Sequence, residues 1–207
     1  MMPSEKKDLF SHKSKSWDMN SRRVKTAQAI ANAIVSNIPL YSEIRIMDFG
    51  AGTGLLSFFI SQKVSKIIAV DTSASMLEVF KEKSSEFLSQ TEILNRDLTK
   101  ESFDNLNIDG IISSMTLHHI EDIPTLFKKF YTLLPTEGFI ALADLKEENG
   151  TFHSDNQGVF HYGFSEAFIQ KALEDAGFKE IQFHTPVQIQ KPHGIFPLFL
   201  VTAYKRD

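Results

Sequence analysis

Short apolar segments alternate with longer amphipathic segments along most of this chain. The alternation begins with a predicted strand at 43–49, a helix at 53–64, a strand at 66–71 and a helix at 73–88. Strands that alternate with helices indicate βαβ units, in which the strands run parallel and helices cover both faces of the sheet. The strands are almost continuously apolar, as expected when both faces of a parallel sheet are buried. The sequence therefore predicts a doubly wound α/β fold.

The later part of the chain continues this pattern and ends in two strands with no helix between them. Further strands are predicted at 91–98, 108–115, 138–145, 178–185 and 196–205, and further helices at 123–134 and between Ser165 and Gly177. The last two strands are expected to pair antiparallel, as a hairpin. The long polar connection at 146–163, in which aromatic residues alternate with polar ones, is interpreted either as a lid or as a loop held by buried aromatic side chains.

The amino-terminal part of the chain differs from the rest in being polar and rich in lysine. Residues 1–40 are predicted to form an extension that ends in a lid helix, and residues 41–207 to form the main domain. Asp18, Asn20 or Ser21 supplies the helix cap, and Trp17 is the only large apolar anchor before it. Packing of this helix against the sheet edge, without a lid function, is the alternative.

Composition excludes several kinds of chemistry. The chain of 207 residues contains no cysteine, which excludes disulfides, thiolate zinc sites, iron–sulfur clusters and a cysteine nucleophile. A net charge of −4 argues against a broad surface for nucleic acid. No apolar run approaches the roughly 20 residues needed to cross a membrane, and the first residues lack a signal-peptide pattern. We therefore expect a cytoplasmic protein, monomeric or homodimeric, with neither nucleic acid nor a membrane as partner.

The most specific motif is IMDFGAGTG, residues 46–54, which follows the first strand and opens the first helix after it. Gly50, Gly52 and Gly54 allow the backbone to turn tightly and to approach a ligand closely. Their spacing differs from the G-x-G-x-x-G of dinucleotide sites, and the Gly-Lys-Ser/Thr of a P-loop is absent. A glycine-rich turn that binds nothing is the alternative.

With Asp48, these glycines form D-x-G-x-G-x-G, which resembles the first motif of class I S-adenosylmethionine-dependent methyltransferases. Asp71, at the end of the second strand, and Asp97, in NRDL, match acidic positions of that family, and Ser114 matches a cofactor contact. The overall pattern resembles the small-molecule branch that includes the ubiquinone/menaquinone-biosynthesis methyltransferases. The segment LLPTEGFIALAD departs from the family pattern at 136–137.

This resemblance implies a fold, a cofactor and a reaction. The implied sheet is mostly parallel and seven-stranded, in the order 3-2-1-4-5-7-6 with strand 7 antiparallel. The implied reaction is in-line transfer of a methyl group from S-adenosylmethionine to a small-molecule acceptor, which leaves S-adenosylhomocysteine. The resemblance assigns cofactor contacts to Asp48, Gly50, Ala51, Gly52, Thr53, Gly54, Asp71, Thr72, Met76, Asp97, Leu98 and Ser114.

The segment SMTLHHIED, residues 114–122, would lie beside the cofactor, after the fourth strand. His118, His119 and His161 are candidate proton acceptors, although the adjacent pair is also expected to shape the pocket without chemistry. Asp122 is interpreted as the cap of the following helix. No metal site is expected, because neighbouring histidine side chains should diverge and no ligand spacing supports one. Trp17, His153 and Tyr162 are predicted to line the acceptor pocket.

Three other functions remain open at this level. The chain could be a non-catalytic domain that binds S-adenosylmethionine or a partner, a related nucleoside-using transferase, or a nicotinamide oxidoreductase, which the glycine spacing disfavours. The segment SSMT follows the fourth strand, where enzymes that methylate nucleobase or glutamine amides carry Asn/Asp-Pro-Pro-Tyr/Phe. An acceptor of that kind is therefore not expected.

Overall fold

In the described part of the chain, eight strands and five α-helices alternate before a β-rich end. A computed structural model describes residues 8, 10, 11, 13–101, 103 and 106–207. The strands are β1 (Arg45–Phe49), β2 (Lys66–Asp71), β3 (Gln90–Asn95), β4 (Gly110–Ser114), β5 (Phe139–Leu145), β6 (Lys179–His184), β7 (Gln188–Lys191) and β8 (Gly194–Tyr204). The helices are α1 (Ser21–Asn37), α2 (Leu55–Ile60), α3 (Ala74–Lys83), α4 (Ile123–Leu133) and α5 (Glu166–Ala176).

The sheet has the predicted order and one additional strand. Its order is β3-β2-β1-β4-β5-β8-β6, and β7 pairs with β8 beside this path. Strands β1 to β5 are parallel, and β8 runs antiparallel to both β5 and β6, so the predicted seven-strand order and its antiparallel strand are confirmed. The extra strand arises because Gln188–Lys191 folds back on the first residues of β8, with Lys191 opposite Gly194. Pro192 sits in the intervening turn, and residues 188–191 are too few to show a period.

Alternate residues of each central strand bury against opposite helical layers. Ile46 on β1 belongs to one apolar cluster, together with residues of α1, α2 and α3. Met47, its neighbour, belongs to a second cluster with residues of α4 and α5. This is the period-two alternation of a strand covered on both faces. The helices therefore fix the sheet from both sides and leave its edges for the connecting loops.

The helix ends are set by the caps that local sequence provides. The side chain of Asn20 accepts hydrogen bonds from the backbone N–H groups of Arg22 and Arg23 at the start of α1. Asp122 caps α4 and Ser165 caps α5, each through a backbone N–H three residues later. These caps satisfy N–H groups that have no partner inside a helix. None of the helices that the structure describes has the length and apolar character required for a membrane span.

The carboxyl ends of the parallel strands meet at one edge of the sheet, and polar residues collect there. Asp48 is next to last in β1, Asp71 is last in β2, Ser114 is last in β4 and Asp144 is next to last in β5. The chain reverses its direction of winding between β1 and β4. Ligands of open α/β sheets bind in the crevice at such a point.

Candidate active site

A cavity of about 940 Å³ lies at this edge of the sheet. It is lined by Asp48, Gly50, Ala51, Gly52, Thr53, Asp71, Thr72, Met76, Asp97, Leu98 and Ser114. These are all the residues predicted as cofactor contacts except Gly54. Gly54 instead caps α2 with a backbone φ of 79°, and a Cβ there would lie 2.6 Å from the Phe80 ring. The fold thus brings the separate sequence segments into one site.

The glycine loop uses its glycines for different reasons. Gly50 and Gly52 have φ values of 70° and 54°, in the left-handed region that favours glycine. A Cβ on Gly50 would lie 2.2 Å from the side chain of Thr116, whereas a Cβ on Gly52 would have no heavy atom within 4 Å. Gly50 therefore permits close packing of two loops, and Gly52 leaves its backbone open toward the cavity.

Asp71 joins the glycine loop to the end of β2. Its Oδ2 accepts a hydrogen bond from the Gly52 N–H at 2.8 Å, and its Oδ1 accepts one from the Ser73 N–H at 2.8 Å. Burial raises the pKa of this carboxyl group, and the hydrogen bonds from the backbone partly offset that effect. Each carboxylate oxygen has further lone pairs. Asp71 therefore has acceptor capacity left for a ligand in the cavity.

Asp48, the acid of the glycine loop, is buried. The Ser57 hydroxyl donates a hydrogen bond of 2.6 Å to its Oδ2. The pKa of Asp48 is raised to about 7, chiefly by burial; the Ser57 hydrogen bond opposes this effect and the charge of Asp71 adds to it. An acid whose pKa is higher in the folded state than in the unfolded chain binds more protons when folded. Its ionisation therefore destabilises the fold as the pH rises.

We expect Asp48→Asn to be more stable than the wild type at a pH of about 8, and to lose most of that advantage as the pH falls through the folded pKa of about 7 to about 4. The gain at the higher pH should be on the order of 2 kcal/mol, since the amide removes a buried negative charge and keeps an acceptor for Ser57. Urea unfolding of both proteins at the two pH values measures the difference. A stability difference that does not change with pH would show that Asp48 does not titrate in this range.

The amino-terminal segment lies against the same cavity. Asp18 accepts a hydrogen bond of 2.6 Å from the Thr53 hydroxyl and pairs with Lys83. Trp17, in a 3-10 helix at Ser14–Met19, lines the cavity beside Phe10. The position of Trp17 agrees with its predicted place in the pocket. Residues 1–7, 9 and 12 of the predicted extension lie outside the described residues, and the division into extension and domain stays a prediction.

Three histidines converge at the other end of the cavity. The ring centroids of His118 and His119 are 4.1 Å apart, and those of His118 and His153 are 4.9 Å apart. The expectation that neighbouring histidines diverge is therefore wrong. A 3-10 turn at Leu117–His119 holds both rings on one side, and the loop at 146–163 brings His153 to them. The prediction that no metal binds here relied on that expectation and loses its support. It stays a prediction.

Each of the adjacent histidines has a fixed orientation. The Nδ1 of His118 lies 2.7 Å from Oδ1 of Asp144, and both side chains are buried. The Nδ1 of His119 lies 2.7 Å from the carbonyl oxygen of Gly158. Because a carbonyl oxygen only accepts, Nδ1 of His119 carries the proton and its Nε2 carries the lone pair. The sequence reasoning overlooked Asp144, whose signal is an aspartate inside an otherwise apolar strand.

His119 and His153 are uncharged at neutral pH. Burial, and then the charge of the neighbouring His118, lower the pKa of each to about 4. For Asp144, burial raises the pKa, but the charge of His118 and three hydrogen bonds outweigh that effect, so the pKa lies below its ordinary value. The carboxylate is therefore ionised beside His118.

His161 and Tyr162 lie outside this cluster and do not line the cavity. The ring of His161 packs near that of Phe164, and its Nε2 lies 3.3 Å from the carbonyl oxygen of Glu121. Tyr162 packs over Gly150 and is 47% exposed. Neither residue therefore lies where it was predicted. The backbone N–H of His161 donates a hydrogen bond to the His118 carbonyl group, and the loop turns both side chains away from the cavity.

Basic side chains form a further part of the cavity wall. Arg22, Arg23 and Lys191 all line it, and the guanidinium group of Arg23 lies 3.7 Å from the Trp17 ring centroid. Burial lowers the pKa of Lys191, and the positive charges of Arg22 and Arg23 contribute to that effect. Within the described ranges, none of the three forms an ion pair.

Comparison with known proteins finds similarity to methyltransferases. Residues 46–138 match the family described as "Methyltransferase domain". A Schizosaccharomyces pombe protein called an uncharacterized methyltransferase is 30% identical over 62% of this chain and 51% of its own length. A malonyl-[acyl-carrier protein] O-methyltransferase of Priestia megaterium is 30% identical over 70% of this chain and 52% of its own length. The chain thus spans about half the length of these relatives.

A solved structure shows the same fold. Haemonchus contortus phosphoethanolamine N-methyltransferase 2, in complex with S-adenosyl-L-methionine, superposes with a TM-score of 0.68 at 16% identity. The match covers 86% of this chain and 52% of that one.

Proposed function

We propose that this chain, which is similar to methyltransferases over residues 46–138 and shares their fold, transfers a methyl group from S-adenosylmethionine to a small-molecule acceptor. The observation that carries the proposal is that the glycine loop, Asp71 and Asp97 line a single cavity. These residues come from three different strand ends. Their meeting point is the ligand crevice of an open α/β sheet.

The cofactor half of the cavity suits a nucleoside ligand. The open space beside Gly52 admits a ligand against the backbone, and Asp71 would accept hydrogen bonds from the ribose hydroxyl groups. Asp97 would lie beside the adenine. Bound S-adenosylmethionine supplies a methyl group on a positively charged sulfur, which is already activated for displacement. The residues of the chain then have to align the acceptor and exclude water.

The acceptor half of the cavity would be formed by Trp17 and the histidines. His119 is the best-placed proton acceptor, because the Gly158 carbonyl group fixes its Nδ1 as the donor and leaves the Nε2 lone pair available. A positioned base accelerates a reaction that releases a proton by roughly 10²–10⁴-fold when its pKa is near the operating pH; the pKa of about 4 keeps His119 unprotonated but makes it a weaker base than that. A role for His161, which lies outside the cavity, has no support in this arrangement.

The charge of the wall favours an acceptor that carries a negative group. Arg22, Arg23 and Lys191 provide positive charge that no described acidic residue neutralises through an ion pair. Two proteins similar to this chain are named for phosphoethanolamine and for malonyl-[acyl-carrier protein], and both of these acceptors are anionic. We therefore propose a small anionic acceptor.

We expect Asp71→Ala to weaken S-adenosylmethionine binding at least ten-fold, about 1.4 kcal/mol, and to abolish most methyl transfer. Labelled S-adenosylmethionine, incubated with the protein and the small-molecule fraction of a cell extract, measures the transfer. Asp109→Ala is the matched control, because Asp109 pairs with Arg45 at the opposite edge of the sheet. Equal cofactor affinity in the Asp71 variant and in this control would contradict the assigned site.

A further inference from the structure

We infer that His118, His119 and His153 bind a divalent transition-metal ion such as zinc. One ring nitrogen from each histidine lies within 4.8 Å of the others. All three side chains line the cavity. Metal binding by this cluster is a property separate from methyl transfer and is measured without it.

The spacing of the three nitrogens is close to that of a ligand set. Bonds of about 2.0–2.1 Å in a tetrahedral zinc site put two nitrogens roughly 3.4 Å apart. The cluster therefore has to contract by about 1.4 Å at most to reach that geometry. His153 lies in the loop at 146–163, outside any helix or strand, so its side chain can supply the movement. The 3-10 turn holds His118 and His119 in place.

The surroundings of the cluster are those that metal-binding histidines require. A ligating histidine normally donates its other ring N–H to a carboxylate or a carbonyl group, which fixes the ring and makes its lone pair more basic. Asp144 stands in that relation to His118, at 2.7 Å, and the Gly158 carbonyl oxygen to His119, at 2.7 Å. Both partners engage Nδ1, so both Nε2 atoms are left for a ligand.

Charge and composition agree with this assignment. Imidazole nitrogens suit zinc and other late divalent metals, and three protein ligands leave a coordination position open. The buried carboxylate of Asp144 contributes negative charge beside the cluster. Lys191 lines the same cavity and its ammonium group donates a hydrogen bond to the carbonyl oxygen of Phe152, the residue before His153, so its positive charge favours an anion as the fourth ligand.

The open position would face the cavity, where the acceptor is proposed to bind. On that point the inference rests on the proposed function: an anionic oxygen or sulfur of the acceptor would complete the metal's coordination. The metal would then hold the nucleophilic atom in place and favour its deprotonated form. His119 would in that case position the acceptor through the metal rather than act as a free base.

Zinc titration of the 207-residue chain, after removal of metals with a chelator, tests the site. We expect one Zn²⁺ per chain and at least ten-fold weaker binding in His153→Ala, the variant least expected to disturb folding since this side chain is only half-buried. Asp144→Asn should also weaken binding, by about ten-fold, through the orientation of His118. His184→Ala is the matched control and should bind zinc as the wild type does, because His184 ends β6, the last strand in the order of the sheet, and does not line the cavity.

The outcomes separate this inference from the proposed function. Absence of stoichiometric zinc binding in the wild type, or equal zinc affinity in His153→Ala, overturns the metal site. S-adenosylmethionine calorimetry on the same samples reports independently: cofactor binding without zinc binding overturns the metal site alone. Zinc binding that His153→Ala weakens, in a protein that does not bind the cofactor, supports the metal site and overturns the proposed function.

Discussion

Gly50→Ala is expected to lower the free energy of unfolding by about 2–5 kcal/mol. The left-handed backbone at this position, with φ of 70°, costs a residue with a side chain roughly 1–2 kcal/mol. The new Cβ would also lie 2.2 Å from Thr116, and overpacking of this kind costs about 1–3 kcal/mol. Thr116 is branched at Cβ and has few alternative rotamers, so the clash must be relieved by movement of the loops.

Gly52→Ala is the matched control for this effect. It has the same backbone strain, with φ of 54°, but its Cβ would meet nothing within 4 Å. We therefore expect a loss of only about 1 kcal/mol, together with weaker S-adenosylmethionine binding because the methyl group would point into open space of the cavity. Urea unfolding and calorimetry of both variants measure the two effects. Equal stability of the two variants would contradict the role assigned to Gly50.

Asp144→Ala is expected to lower the free energy of unfolding by about 3–5 kcal/mol, measured with a chelator present. A buried donor that loses its acceptor costs about 1–3 kcal/mol, and loss of one partner of a buried charged contact costs about 3–5 kcal/mol. In this case three donors lose their acceptor: the Nδ1–H and the backbone N–H of His118, and the backbone N–H of Leu145. The effect should show as an earlier midpoint in urea.

Two further variants test the cause of that loss. Asp144→Asn keeps an acceptor oxygen and should lose less than Asp144→Ala, roughly 1–3 kcal/mol. Asp175→Ala removes an exposed aspartate that pairs with Lys171 at 2.8 Å, and should change stability by less than about 0.5 kcal/mol. If Asp144→Ala were no more destabilising than Asp175→Ala, the buried contact between Asp144 and His118 would not stabilise the fold.

That the residues of the proposed cofactor half line one cavity was predictable because their signals are local. The glycine loop comes directly after one strand, and Asp71 is at the end of the next. Parallel strands bring their carboxyl ends to one edge of the sheet. The same rule predicted Asp97 and Ser114 in the cavity. The strand order could be predicted only through the resemblance to a known family, because local sequence does not state which strands are neighbours.

The acceptor half was less predictable because long-range contacts determine it. Asp144 was read as part of a buried strand, and its contact with His118 spans 26 positions. The side-chain directions of His153 and His161 depend on how the loop at 146–163 folds, and this loop has no period that would indicate them. The same reason explains why β7 was missed, since Gln188–Lys191 is a strand only through its pairing with β8.

Calorimetry of the wild-type chain with S-adenosylmethionine, S-adenosylhomocysteine and NAD tests the central claim most directly. The proposed function predicts saturable binding of the first two compounds and no binding of NAD, because the spacing of the glycine loop and the acid at the end of β2 suit a nucleoside without a pyrophosphate. Binding of NAD, with no response to S-adenosylmethionine or S-adenosylhomocysteine, would contradict it.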